Sequence, residues 1–195
     1  MIEGNLVNLR AVEYADMDLI CEWSMSDARR SFFMDRRGDV RQVTRDEIAA
    51  MMSARRGQRA GYLPLAVERK DGTVIGCTAL RGAGWETHAA EMQVAMFDDT
   101  TFTEPAGEEA VALYVDYLIV DKNIEKVFVR ALTSETAYVE CLKRLGFVEE
   151  GVVREFTYAG GEYLSVAALS VLRDEWMAIT PVQRTRGVSG TGISS

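Results

Sequence analysis

The chain has 195 residues, of which 48% are apolar and 27% charged, and its net charge is −8. That apolar fraction excludes disorder as the main state, and no window nears the ~20 consecutive apolar residues of a membrane span. The opening Met1-Ile2-Glu3-Gly4-Asn5 lacks the basic-then-apolar pattern of a secretory signal. Cys21, Cys77 and Cys141 are far apart and odd in number, so they read as reduced core residues of a cytoplasmic protein rather than a disulfide frame. A single histidine, His88, excludes a multi-histidine centre, and no metal is expected.

The acidity is uneven. From Arg29 to Arg59 there are nine arginines against four acids, a local +5 that leaves −13 on the remainder. So acidic a chain does not coat itself with nucleic acid, but a local arginine stretch suits phosphate through its guanidinium forks. The segment reads either as a grip for a polyanion or as a solvated helix face paired with neighbouring acids.

In chain order, Leu6–Val12 alternates apolar and polar like a half-buried strand, and Asp16 opens a helix carrying Leu19, Ile20 and Trp23. Thr44-Arg45-Asp46-Glu47 is a capping box, starting a helix through Ile48, Met51 and Met52 that stops near Gly57. Tyr62–Glu68 and Thr73–Leu80 form a hairpin across Asp71-Gly72. Gly82 and Gly84 loosen the chain before a strand at Ala89–Phe97. Asp98–Pro105 reads as a polar loop, Gly107–Val120 as a helix, and the β-branched run Lys126–Leu132 as a buried strand. A short helix over Thr136–Leu145 is closed by Gly146, and Val148–Tyr158 and Tyr163–Leu172 make a last hairpin. Residues 1–179 form one α+β domain with a mixed sheet and helices on its faces, and the Ser/Gly/Thr-rich tail 180–195 is expected to be disordered.

From Leu9 to Trp176 the order of motifs resembles the GNAT acyltransferase superfamily, especially the branch that acetylates ribosomal-protein N-termini and antibiotic amines. The resemblance rests on Leu145-Gly146-Phe147-Val148-Glu149-Glu150-Gly151-Val152-Val153-Arg154-Glu155 and the closing Leu172-Arg173-Asp174-Glu175-Trp176. Asp16, Trp23 and Asp27 in the first helix, and Ala90-Glu91 spaced before Ala110, also carry it. It implies that the parallel strands Ala89–Phe97 and Lys126–Leu132 splay apart, leaving backbone groups that pair with the pantetheine arm of acetyl-CoA or another acyl-CoA. The pyrophosphate would then meet the amides at the start of the following helix, aided by its dipole.

On an ungapped alignment this loop departs from the family pattern. Phe102 falls where the Gln or Arg or its neighbour belongs, Pro105 replaces the first glycine and removes an N–H, and Gly107 keeps the second. Glu104, Glu108 and Glu109 bring acids to a phosphate site, which is expected to weaken donor binding. The resemblance assigns Val94, Ala95, Met96, Phe102, Thr103, Glu104, Gly107 and Glu108 to the donor, and Trp23, Arg29, Arg30 and Trp85 to the acceptor side. The family's Asn and Ser fall at Glu135 and Tyr138, its general-acid Tyr at Leu142, and an Asp of the last hairpin at Ser165.

Acyl transfer to an amine needs a deprotonated nucleophile, an oxyanion donor and a leaving-group acid. Glu91 is the candidate base or amine-orienting group, its bland role being strand-edge solubility, and His88 has a side chain suited to proton transfer near neutrality. Tyr138 and Ser134 are the candidate acids. The leading reading is an N-acyltransferase for the primary amine of a small molecule, of the kind found in antibiotic biosynthesis or resistance. One alternative takes its acyl group from an aminoacyl- or acyl-tRNA, or a carrier protein, held by the Arg29–Arg59 segment. The other is a non-catalytic ligand-binding protein of the same fold. A homodimer is left open.

Overall fold

The computed structural model describes residues 1–24, 44–47, 64–84 and 88–179. Strands β1 (Ile2–Glu3), β2 (Val7–Ala11), β3 (Leu65–Arg69), β4 (Val74–Gly84), β5 (Ala89–Met96), β6 (Lys126–Leu132), β7 (Val148–Ala159) and β8 (Glu162–Leu172) form one sheet. Its order is β1-β2-β3-β4-β5-β6-β8-β7, and every neighbouring pair is antiparallel except β5 and β6. Helices α1 (Met17–Ser24), α2 (Pro105–Asp116), α3 (Thr136–Arg144) and α4 (Arg173–Ala178) complete the α+β fold. Among the described residues no helix is long and apolar enough to cross a membrane.

Period-two alternation sorts the strand side chains into two layers. Val67, Met92, Val94, Met96, Val127, Val129 and Ala131 pack with α2 and α3 in the main core. Ala66, the neighbour of Val67, points the other way and joins Cys77, Met17, Ile20 and Trp23 beneath α1. Trp176 is wholly buried and its indole Nε1 donates to Asp116 at 2.7 Å, which pins α4 to the end of α2. Glu109 faces the chain's start, accepting the amides of Asn5, Leu6 and Val7 at 2.8, 2.6 and 2.8 Å.

Several predicted boundaries hold closely. β6 has the expected limits, and the last hairpin turns on Gly160 and Gly161, whose φ values of 63° and 88° suit a two-residue turn of the primed kind. The capping box at Thr44 is formed both ways: the Thr44 amide donates to Glu47 at 2.9 Å, and the Glu47 amide to the Thr44 hydroxyl at 3.3 Å. The helix beyond Glu47 and the tail 180–195 lie outside the described residues.

Other boundaries differ, each for a local reason. The expected loop at Asp98–Pro105 is mostly a 3-10 helix, Asp99–Thr103, because the Asp98 side chain accepts the Thr100 amide at 2.9 Å. Helix α2 starts at Pro105 rather than Gly107, since proline suits a first helical position whose N–H has no intrahelical partner. It ends in a π-helical turn, Tyr117–Asp121. β4 continues through Gly84 by means of a register shift between Leu80 and Gly82, opposite Glu91 and Met92. Asp16 ends a 3-10 turn, Tyr14–Asp16, ahead of α1 rather than opening the helix itself.

The buried Asp16 fastens that turn to the sheet by accepting Arg10 Nη1 and Nη2 at 2.7 and 3.0 Å and the Glu13 amide at 2.8 Å. Burial works to raise the carboxyl's pKa, but the Arg10 and Glu13 bonds outweigh it and hold the group below the usual carboxylate range. A folded-state value below the unfolded one adds stability that is present above the unfolded value and is lost as pH falls through the folded one. Denaturant unfolding at pH 7 and at pH 3 is therefore expected to show a smaller acid loss in Asp16→Asn than in the wild type. Equal losses would place the acid sensitivity elsewhere.

Candidate functional site

β5 and β6 pair at only three positions, Ala89↔Lys126, Ala90↔Val127 and Glu91↔Phe128. Beyond these, Met92–Met96 and Val129–Leu132 run on without pairing to each other, although both outer edges stay paired. β4 matches β5 as far as Met96, and β8 matches β6 as far as Leu132. The opening therefore lies between these two strands alone, and it faces the start of α2. Strand alternation puts the N–H and C=O of Val94 on the open edge and those of Ala95 on the β4 side. Consistently, a Cβ on Gly76 of β4 would stand 2.5 Å from the Ala95 carbonyl. Of Val94, Ala95 and Met96, which the resemblance assigns to the donor, Ala95 therefore turns its amide away from the slot.

Two side chains span the opening. Tyr138 reaches in from α3, and its hydroxyl accepts the Val94 N–H at 3.3 Å. From β5, Gln93 Nε2 donates to the Arg130 carbonyl of β6 at 2.9 Å. Each satisfies a backbone group that the missing ladder would otherwise leave unpaired in a dry interior. Tyr138 is 3% exposed and its ring lies 4.7 Å from that of Phe102.

Glu91 is the last paired residue of β5, at the vertex of the opening. It is 5% exposed, and its carboxylate accepts both Arg130 Nε at 2.9 Å and Nη2 at 3.3 Å. The Arg130 guanidinium sits 5.8 Å over the Phe156 ring. Glu91, Gln93 and Arg130 lie on the face of the sheet opposite α2 and α3, because their strand neighbours Met92 and Val129 belong to the main core.

At the other end, the acids at the start of α2 have partners. Glu104 accepts Arg69 Nη2 at 2.9 Å, Glu108 pairs with Arg144, and Arg144 Nη2 also donates to the Phe102 carbonyl at 2.7 Å. Two of the three negative charges expected to repel a phosphate are thus offset by arginines, and the third, Glu109, points to the N-terminal segment. The N-cap Glu104 gives no side-chain bond to the first turn of α2. Gly107 has a packing reason of its own: a Cβ there would lie 2.0 Å from the Thr101 carbonyl, so only glycine lets α2 rest on the 3-10 helix.

The remaining candidates scatter. His88 is exposed at the paired end of β5, with Nδ1 3.3 Å from the Asn123 carbonyl. At about 3.3 Å per residue it stands about 10 Å along the strand from Glu91. Ser134 is exposed in the turn after β6, and Thr103 is exposed with its hydroxyl donating to the Thr100 carbonyl at 2.6 Å. Trp23 is 6% exposed and packs against Phe97, so its indole supports α1 in the core. Arg29, Arg30 and Trp85 lie outside the described residues. Cys141 is not a nucleophile, since burial pushes its thiol up to about 12. Sequence reasoning missed Gln93 and Arg130. For Gln93 the available signal was a polar residue inside the apolar run Ala89–Met96.

The chain matches the family described as "Acetyltransferase (GNAT) domain" over residues 9–166. It is 25% identical over 171 residues to an uncharacterized N-acetyltransferase, p20, of Bacillus licheniformis, covering 87% of this chain and 94% of that one. Its fold matches Vibrio cholerae spermidine N-acetyltransferase in complex with CoA and spermine, with a TM-score of 0.77, 19% identity and coverage of 88% and 98% of the two chains. A K23-Q34 chimera of that enzyme with hSSAT gives 0.75, 19%, 89% and 99%.

Removing the Tyr138 hydroxyl leaves the buried Val94 N–H without an acceptor. Tyr138→Phe is expected to lower unfolding free energy by about 1–3 kcal/mol in denaturant titrations. A change within error would mean that the hydroxyl does not bridge the opening.

Proposed function

The chain belongs to the GNAT acetyltransferase family, and we propose that it moves an acyl group from acyl-CoA to the primary amine of a small cationic molecule. It is an acyltransferase; the donor and acceptor are the proposal. The observation that carries it is the early end of β5–β6 pairing, which leaves strand edges able to receive an extended amide-bearing arm. Such an arm pairs with the edge as an added strand does. The net charge of −8 favours a cationic acceptor, as in the spermine complex of the Vibrio cholerae enzyme. Within the family, the run from Leu145 to Glu155 supports the branch acting on ribosomal-protein N-termini and antibiotic amines.

The loop keeps enough to hold a pyrophosphate. Pro105 lacks a donor, so the loop is degenerate there, and the Gly107 and Glu108 amides donate to the Glu104 carbonyl at 3.1 and 3.3 Å, but α2 still offers the Ala106 amide and its dipole. Arg69 and Arg144 offset Glu104 and Glu108. That removes much of the motive for a tRNA donor. Of the arginine segment that would hold one, the described Arg45 pairs with Asp18 at 2.9 Å.

The donor supplies a thioester carbonyl. The Val94 N–H, once released by Tyr138, polarises that carbonyl from the slot edge. Glu91 at the vertex holds the ammonium group and takes its proton. The amine nitrogen forms the new C–N bond as the thioester C–S bond breaks. The sulfur receives a proton from the Tyr138 hydroxyl, which regains one from solvent, while Glu91 passes its first proton to solvent and takes the second from the new amide nitrogen, so the products are an amide, a thiol and one released proton. Arg130 fixes the Glu91 carboxylate at the vertex through two hydrogen bonds.

Calorimetric titration with acetyl-CoA is expected to give micromolar binding, followed by acetylation of spermine or a similar amine. Glu91→Gln is expected to lower kcat/KM for the amine by about 10²-fold, with acetyl-CoA affinity kept. No acetyl-CoA binding at millimolar concentration, or full turnover by Glu91→Gln, would contradict the reading.

A further inference from the structure

The amide of Gln93 is fixed at one end only. Its residue is 0% exposed, and Nε2 donates to the Arg130 carbonyl at 2.9 Å. A carbonyl oxygen can only accept, so the amide nitrogen must be the atom facing it, and the orientation of the group follows. The other atom, Oε1, is buried and meets no hydrogen-bond donor among the described residues. A buried side-chain acceptor left without a donor is uncommon and calls for a partner.

The position of Gln93 says which ligand. It lies two residues past Glu91 on the same strand face, between the Glu91–Arg130 pair and the open end of the slot. Tyr138, the Val94 amide contact and α2 belong to the opposite face. A nucleophile attacks a planar carbonyl from one side, so an amine entering past Glu91 meets Gln93 before it reaches the slot.

We infer that Gln93 Oε1 accepts an N–H of the acceptor amine; this rests on the amine-acylating reading above. Glu91 supplies charge and Gln93 supplies direction. A primary amine losing its proton to Glu91 keeps two N–H bonds, one for each group, while its lone pair turns toward the carbonyl. A secondary amine has one N–H and cannot serve both. The neutral amide thereby sets a preference for primary amines that a carboxylate alone would not set.

The test titrates spermine into the CoA-bound protein, wild type and Gln93→Met, and measures acetylation of a primary amine and of its N-methyl derivative. The expected result is a rise of about tenfold in the spermine dissociation constant in Gln93→Met. The CoA constant should stay within about twofold, and the primary-over-secondary preference should narrow. An unchanged spermine constant, or a weakened CoA constant whether alone or with spermine, would overturn the inference, the latter by assigning Oε1 to the donor. Should Gln93→Met fail to fold, the wild type decides: the chain has four glutamines, so 15N-glutamine labelling resolves the Gln93 side-chain amide. Its resonances should move on adding spermine and not on adding CoA; the reverse, or no movement with spermine, overturns the proposal. Spermine binding through Gln93 without any acetylation would contradict the amine-acylating function while leaving this contact standing. Acetylation that is insensitive to Gln93 would do the opposite.

Discussion

A sheet interior leaves no backbone polar group unpaired without cost, and β5 and β6 stop pairing after three residues. The rest of the site follows from how this chain meets that constraint. Tyr138 satisfies the β5 edge at Val94, and Gln93 satisfies the β6 edge at Arg130. Tyr138 is a side chain, which can rotate away to release the Val94 N–H, whereas a ladder of backbone bonds could not be exchanged for a ligand without unzipping the sheet; Gln93 keeps its bond to Arg130 and presents Oε1 beside it. The opening persists because the outer edges of both strands stay bonded to β4 and β8, so the gap is held by a rigid frame on each side.

Charge is arranged with the same economy at the two ends of the slot. The acids at the start of α2 would oppose a phosphate if exposed, but Arg69 and Arg144 arrive from β3 and from the end of α3 to offset them. Arg144 also bonds the Phe102 carbonyl, so one guanidinium ties α3, the 3-10 helix and the first turn of α2 together. At the vertex, Arg130 holds Glu91 in a two-point pair, leaving a neutral amide, Gln93, as the next polar group along the strand.

Much of this frame was legible from local patterns. The limits of β5 and β6 and the Gly160-Gly161 turn follow from apolar runs and glycine placement, whose physics acts over a few residues, whereas the parallel relation between the two strands was implied only by the resemblance to the GNAT superfamily. Glu91 was legible as a carboxylate opening a buried strand. The partners were not. Arg130 and Gln93 meet across strands 37 residues apart, and Arg69 and Arg144 reach Glu104 and Glu108 over 35 and 36 residues. No spacing rule encodes such contacts, so the acids at α2 looked like an uncompensated cluster in the sequence. The 3-10 helix at Asp99–Thr103 was hidden for a different reason: its Asp and Thr side chains favour turns and short helices alike. Trp23 read as a cleft residue because an aromatic on an amphipathic helix looks the same whether it lines a cavity or fills a core.

The account stands on the claim that the edge of β5 at Val94 is exchanged between Tyr138 and an incoming acyl donor. Backbone 15N–1H spectra recorded during titration with acetyl-CoA read that edge directly. The account predicts that the Val94 amide resonance shifts to saturation, while Ala95, bonded toward β4, moves little. A Val94 resonance that stays in place while acetyl-CoA binds would contradict it.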